Sequence, residues 1–224
     1  MLKKKDVTDA AAAFDSTRYP FGFYHHHLSV LNSAKKVTRE VRVSVEELFY
    51  WRMGKVRVSK SRSQLSDTAH PTSFTDEEGN LHYASGVTGV TQRGIDIATA
   101  TGILELGKAF RDGLVSFGEL GAEAKVIART SVYLPCFFIH IWKPEEWPLF
   151  EKRVWMLHRW DEGKANAFTG IPTNIERYME YTAWFDKLVE KKKIDRWTAQ
   201  VGLWELGRRL EKEVKTNPAG LNKS

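Results

Sequence analysis

One cysteine, Cys136, is present among 224 residues, so an internal disulfide framework is excluded, as are a cysteine-rich zinc site and an iron–sulfur cluster. Long hydrophobic runs are also missing. The longest, Val132 to Trp142, spans eleven residues and is interrupted by Pro135 and His140, whereas a membrane helix needs about 20 apolar residues. The opening Met1-Leu2-Lys3-Lys4-Lys5 leads into Asp6 and alanines and not into the apolar stretch of a secretory leader. The expectation is a cytoplasmic protein with no membrane partner. No internal repeat occurs, and no low-complexity tract exceeds Ala10–Ala13. Phosphate-loop chemistry is absent too: Gly86-Val87-Thr88-Gly89 is followed by no Lys-Ser/Thr pair.

What is present is positive charge, unevenly placed. Residues 1–65 carry 13 Lys/Arg against 6 Asp/Glu, while the remainder is close to neutral. Arg52, Lys55, Arg57, Lys60 and Arg62 fall in one eleven-residue stretch, and Lys35, Lys36, Arg39 and Arg42 form a second cluster. Polyphosphate backbones attract such patches through counterion release.

Helix-start signals dominate the local reading. Ser44 with Glu47, Ser116 with Glu119, and Thr173 with Glu176 each match the capping box, in which a hydroxyl and a carboxylate satisfy free amides reciprocally. Apolar residues at helical spacing follow each one, Tyr178, Tyr181, Phe185 and Leu188 after the third. Ile95–Phe110 reads as a further helix and Trp197–Val214 as a long final one. The polar stretch from Ser59 to Gly89 reads as a long loop with room for a small hairpin, its turns at His70-Pro71 and Glu78-Gly79-Asn80. The fold class is all-α: a single domain over 1–224, with a basic lobe and long loop in 1–90 and a helical core in 91–224.

Residues 116–160 concentrate the chemistry. A capped helix ends near Ala128, Arg129-Thr130-Ser131 make a turn, and a second, apolar helix follows. Then come Pro144, Trp147, Pro148, and an acid in Phe150-Glu151-Lys152-Arg153-Val154. This order resembles the helix-hairpin-helix (HhH-GPD) DNA glycosylase superfamily, in particular its small divergent bacterial members. The tail Asp195-Arg196-Trp197 to Trp204-Glu205-Leu206-Gly207 is similar to their C-terminal helix. The likeness covers about residues 90–210 and implies a two-lobed helical bundle.

The resemblance places Glu151 at the catalytic aspartate and Arg129-Thr130-Ser131 where the family has Gly-x-Gly. A glutamate carries the same charge about 1 Å farther from the backbone, which implies a shifted pocket. Tyr133 falls in the slot of the lysine nucleophile used by bifunctional members, and no lysine lies between Lys125 and Lys143. The implied activity is therefore that of a monofunctional DNA glycosylase using water, with Glu151 as catalytic carboxylate and no cofactor. Arg129, Ser131 and the Arg52–Arg62 cluster would hold phosphates. Phe21, Phe23, Tyr24, Trp51, Tyr133, Trp142 and Trp147 are candidates for a pocket that stacks a flipped base. For each of these aromatics the stronger reading is a core residue of an amphipathic helix. The implied partner is double- or single-stranded DNA, bound by a monomer, in base-excision repair or in defence against base-modified phage DNA. A catalytically inactive glycosylase-fold DNA-binding module is the competing class, and a helical protein-interaction domain a third.

Other residues are read as structural. Adjacent histidines in His25-His26-His27 diverge on a helix and have no partner at ligand spacing, so no metal is assigned there. Asp161-Glu162-Gly163 reads as a turn, His140 as a core histidine and Cys136 as a buried, inert thiol.

Overall fold

A computed structural model describes residues 2–16, 18–59, 69–75, 79–85, 89–129, 131–164, 172 and 174–216. In chain order the elements are α1 (Lys4–Ala12), α2 (Phe21–Ser33), α3 (Arg39–Arg52), β1 (Val56–Ser59), β2 (Ala69–Thr75), β3 (Leu81–Ser85), α4 (Gly89–Thr99), α5 (Ile103–Arg111), α6 (Phe117–Ala128), α7 (Tyr133–Trp142), α8 (Lys152–Asp161), α9 (Glu176–Lys192) and α10 (Arg196–Thr216). The protein is mostly helical, as its periodicity predicts, with one small sheet. The chain divides into two units, one of residues 15–143 and one of residues 1–14 with 144–224.

In the 15–143 unit, α2, α3 and α7 supply most of the large buried side chains. Val41, Val45, Leu48 and Phe49 form the inner face of α3, and Phe49 meets Phe137 of α7 edge-on at 5.3 Å. Helix α3 begins earlier than the Ser44–Glu47 pair predicts. Thr38 is its N-cap, accepting from the Val41 amide at 3.3 Å, and Ser44 lies buried mid-helix against Nδ1 of His27 at 3.1 Å. Two N-cap signals compete here, and the one upstream of the whole apolar face wins because it lets Val41 join that face. The last carbonyls of α2 are gathered by the Arg111 guanidinium, which donates to Asn32 O at 3.2 Å and to Ala34 O at 2.8 Å.

Two further segments differ from the sequence expectation. The Ser59–Gly89 stretch is not all loop: its described part forms an antiparallel sheet of order β1-β3-β2. Val56 pairs with Ala84 and Ser59 with Leu81, while Thr75 pairs with Leu81 across the other edge. The register slips between Ala69 and Ser73, where Pro71 brings no amide hydrogen to the ladder. The expected Ile95–Phe110 helix is two helices. Gly102 sits at φ 77° as the N-cap of α5, a left-handed conformation that glycine adopts without steric cost.

The α6–α7 pair follows its sequence signals. Glu119 accepts from the Ser116 amide at 2.8 Å, and Ser116 Oγ accepts from the Glu119 amide at 3.3 Å. After Ala128 the chain turns at Arg129 (φ 58°, ψ −104°) and re-enters a helix four residues later. Residues 134–142 of α7 are all buried.

In the unit made by residues 1–14 and 144–224, α10 is the central rod. Glycine lets two neighbours approach its backbone. A Cβ on Gly202 would stand 2.2 Å from the Val7 carbonyl oxygen of α1, and one on Gly207 would stand 2.7 Å from the Arg153 carbonyl oxygen of α8. Helix α9 buries Tyr178, Tyr181, Phe185 and Leu188, the face its spacing predicts. Thr173, the expected cap of α9, lies outside the described residues, and the helix starts at Glu176. Among the described residues no helix is long and apolar enough to cross a membrane.

Candidate functional site

The segment expected to carry the chemistry is divided between the units: α6, its turn and α7 belong to one, and the proline-marked loop with Glu151 belongs to the other.

Glu151 is the N-cap residue of α8, with extended backbone (φ −150°, ψ 173°). Its carbonyl accepts the first helical bond, from Trp155 N at 3.0 Å. Its carboxylate caps no amide of the helix, although the positive end of the helix dipole favours a negative charge there. The side chain is 26 % exposed, and Arg153 stands 3.8 Å away. That arginine is engaged more closely by Glu211, at 2.9 Å.

The loop before Glu151 is fastened at its backbone from two helices. Tyr178 of α9 donates its hydroxyl to Pro148 O at 2.7 Å, and the Leu149 amide donates to the buried side-chain oxygen of Gln200 in α10 at 2.8 Å. Aromatic rings wall the same loop. Phe150 stacks on Tyr178 at 5.2 Å, lies 5.2 Å from Tyr181 and meets Trp155 edge-on at 5.9 Å. Tyr181 is wholly buried, and its hydroxyl has no hydrogen-bond partner among the described residues. Burial, and after it the charge of Glu151, push this phenol well above the ordinary tyrosine range, so it stays protonated at any physiological pH.

Trp147 is half-buried and rests on Tyr178 at 5.3 Å, placing one aromatic candidate beside the Glu151 loop. The others lie in the 15–143 unit. Phe23, Tyr24, Trp51 and Trp142 are buried there to 1 % exposure or less, and Phe21 and Tyr133 are half-buried. Tyr24 packs on Trp51 at 4.4 Å, the Trp51 indole donates to Pro20 O at 3.0 Å, and the Tyr24 hydroxyl is bonded to His140 Nε2. His140 is thus a partnered core histidine, and Cys136 is a core thiol whose pKa burial pushes up.

Among the candidate phosphate ligands, Arg129 and Arg57 are exposed and Lys55 is half-buried. Arg57 also donates to the carbonyls of Gly54 and Val56, each at 3.1 Å. Arg52 lies over the Phe137 ring at 5.5 Å. Ser131 Oγ accepts from the Leu134 amide at 3.3 Å, which makes it the hydroxyl that starts α7. Lys60 and Arg62 lie outside the described residues.

Reasoning from sequence did not single out Gln200, or Tyr178 and Tyr181 beyond their helix face. No linear signal ties a glutamine fifty-one residues away to the Leu149 amide. Compared with known protein families, characterised proteins and solved structures, the chain matches none.

Proposed function

We propose that this protein is a monofunctional DNA glycosylase that hydrolyses the N-glycosidic bond of a flipped, modified or damaged base, with Glu151 as its catalytic carboxylate. The observation that carries the reading is Glu151 itself: an acid only 26 % exposed, held at a helix N-terminus beside a neutral buried phenol. Cleaving an N-glycosidic bond builds positive charge on the deoxyribose, and a fixed negative group in a poorly solvated place stabilises that charge and orients water. The fastened proline loop supports the reading, because catalytic geometry demands a carboxylate held to a fraction of an ångström. The helix–turn–helix of α6 and α7, with exposed Arg129 at its turn, is the element assigned to phosphate contact.

The decisive test is base release from a panel of natural and modified DNAs by the wild type and by Glu151→Gln. Alkali-labile abasic sites made by the wild type and lost in the amide variant establish the activity and identify the base. Salt-sensitive DNA binding without any base release would replace this reading by an inactive glycosylase-like DNA-binding module. The absence of both would leave a helical interaction domain.

A further inference from the structure

Glu151 does not account for every chemically capable group of its unit. His158 lies in the last turn of α8, Glu162 follows the end of that helix, and Glu180 lies in the second turn of α9. The Glu162 amide donates to His158 O at 3.1 Å, so the two residues keep helical i, i+4 register and share one side. Each of the three side chains offers one ligand atom, and these atoms all lie within 4.8 Å of one another.

The histidine has little else to do. Its side chain is 0 % exposed, Nδ1 has no hydrogen-bond partner among the described residues, and Nε2 is 3.3 Å from a Glu162 carboxylate oxygen without forming a well-directed hydrogen bond. Trp155, Tyr181 and Trp184 surround the ring, with centroids at 5.1, 6.1 and 4.9 Å. Burial lowers its pKa, although Glu162 and Glu180 oppose the shift and Arg159 assists it.

We propose that His158, Glu162 and Glu180 bind a zinc ion, with water completing a tetrahedral shell. One imidazole nitrogen and two carboxylates make a zinc-type donor set. Bonds of about 2.1 Å place tetrahedral ligands about 3.4 Å apart. His158 and Glu162 already stand near that spacing, and the Glu180 ligand atom lies within 4.8 Å of both. Glu180 also pairs with Arg177 at 2.6 Å, a partly exposed contact of the kind that contributes little stability and that zinc would displace. Glu162 also lines a surface cleft of about 200 Å³ with Asp161 and Trp184. Lys187, Lys191 and Lys192 line the same cleft, and their charge moderates the affinity. The bound ion clamps α8, whose N-cap is Glu151, to α9, which carries Tyr178 and Tyr181. The site is independent of the glycosylase reading, since metal binding is measured directly.

The test is calorimetric titration of chelator-treated protein with zinc chloride, paired with thermal unfolding followed by circular dichroism. A His25→Ala/His26→Ala background removes two exposed surface histidines as competing ligands. The expected result is saturation at one zinc per chain and a higher Tm with zinc. Glu162→Gln and Glu180→Gln should each weaken binding at least about tenfold while leaving the metal-free spectrum unchanged. These two partly exposed positions are chosen because replacing the buried His158 risks the fold. Absence of stoichiometric binding, or equal binding by both glutamine variants, would overturn the site.

Discussion

Arg129 carries a positive φ at the turn between α6 and α7, where a side chain is sterically strained and a glycine is not. Such strain costs on the order of 1–3 kcal/mol. Arg129→Gly should therefore raise Tm by a few degrees while weakening DNA binding, because it removes the exposed guanidinium. A gain in stability with unchanged binding would show that the backbone of the turn, and not this side chain, meets phosphate. His27 makes a second prediction at this scale. Burial, and then neighbouring His26, hold its pKa at about 3 in the folded state. In the unfolded chain it titrates near 6.5. Between those values the unfolded state takes up the proton and the folded state does not, so stability falls as pH drops below about 6.5, by up to about 1.4 kcal/mol per pH unit. Urea unfolding at pH 7 and pH 5 should show a loss of roughly 2 kcal/mol from this group, reduced in His27→Gln. An equal loss in that variant would assign the acid sensitivity elsewhere.

Among elements, α10 shows packing overriding propensity. Alanine is a better helix former than glycine by about 1 kcal/mol, so Gly202→Ala would stabilise an isolated helix. Here the added methyl meets the Val7 carbonyl at 2.2 Å and must push α1 away. The expected outcome is a loss of about 1–3 kcal/mol in chemical denaturation, the cost of overpacking. A neutral or stabilising result would refute the close crossing of α1 and α10. The loop ahead of α8 makes the complementary case. Tyr178→Phe keeps the ring stack on Phe150 but leaves the Pro148 carbonyl without its hydroxyl donor, at a cost of about 1–3 kcal/mol. If that bond positions Glu151, kcat for base release should fall more than KM changes. A Tm loss with unchanged kcat would make the bond purely structural.

For the whole molecule, the basic excess in residues 1–65 is an electrostatic feature with a measurable signature. Lys55, Arg57 and Arg129 are the least encumbered of the described candidate contacts, and three phosphate contacts give a slope of log K against log salt of about −3. Fluorescence-anisotropy titrations between low and physiological salt should return that slope, and Arg57→Gln should reduce it by about 1. A slope near zero would remove polyphosphate as the partner.

Helices were legible where local signals agreed, the capping box and apolar spacing in α6 and the apolar spacing alone in α9, because those signals act within a few residues of one another. Glu151 was singled out by one short pattern of loop prolines, acid and following apolar residue, and its role is the proposal made above. Contacts distant in sequence were not. The start of α3 depended on which of two caps allowed Val41 to be buried, and β1 found its partner in β3 across more than twenty residues. Gln200 reached the Leu149 amide, and Glu180 came to His158 and Glu162, only because α9 and α10 fold back beside α8. His158 and Glu162 did carry a local sign, an i, i+4 pair on one helix. Their third partner comes from a different helix, and burial of the imidazole arises only when the aromatic rings of α8 and α9 close around it. By itself the sequence determined the helical class and the charge asymmetry, both set by nearest neighbours and composition. Tertiary structure alone decided which polar groups were desolvated and which side chains met, because burial and distance are properties of the packed chain.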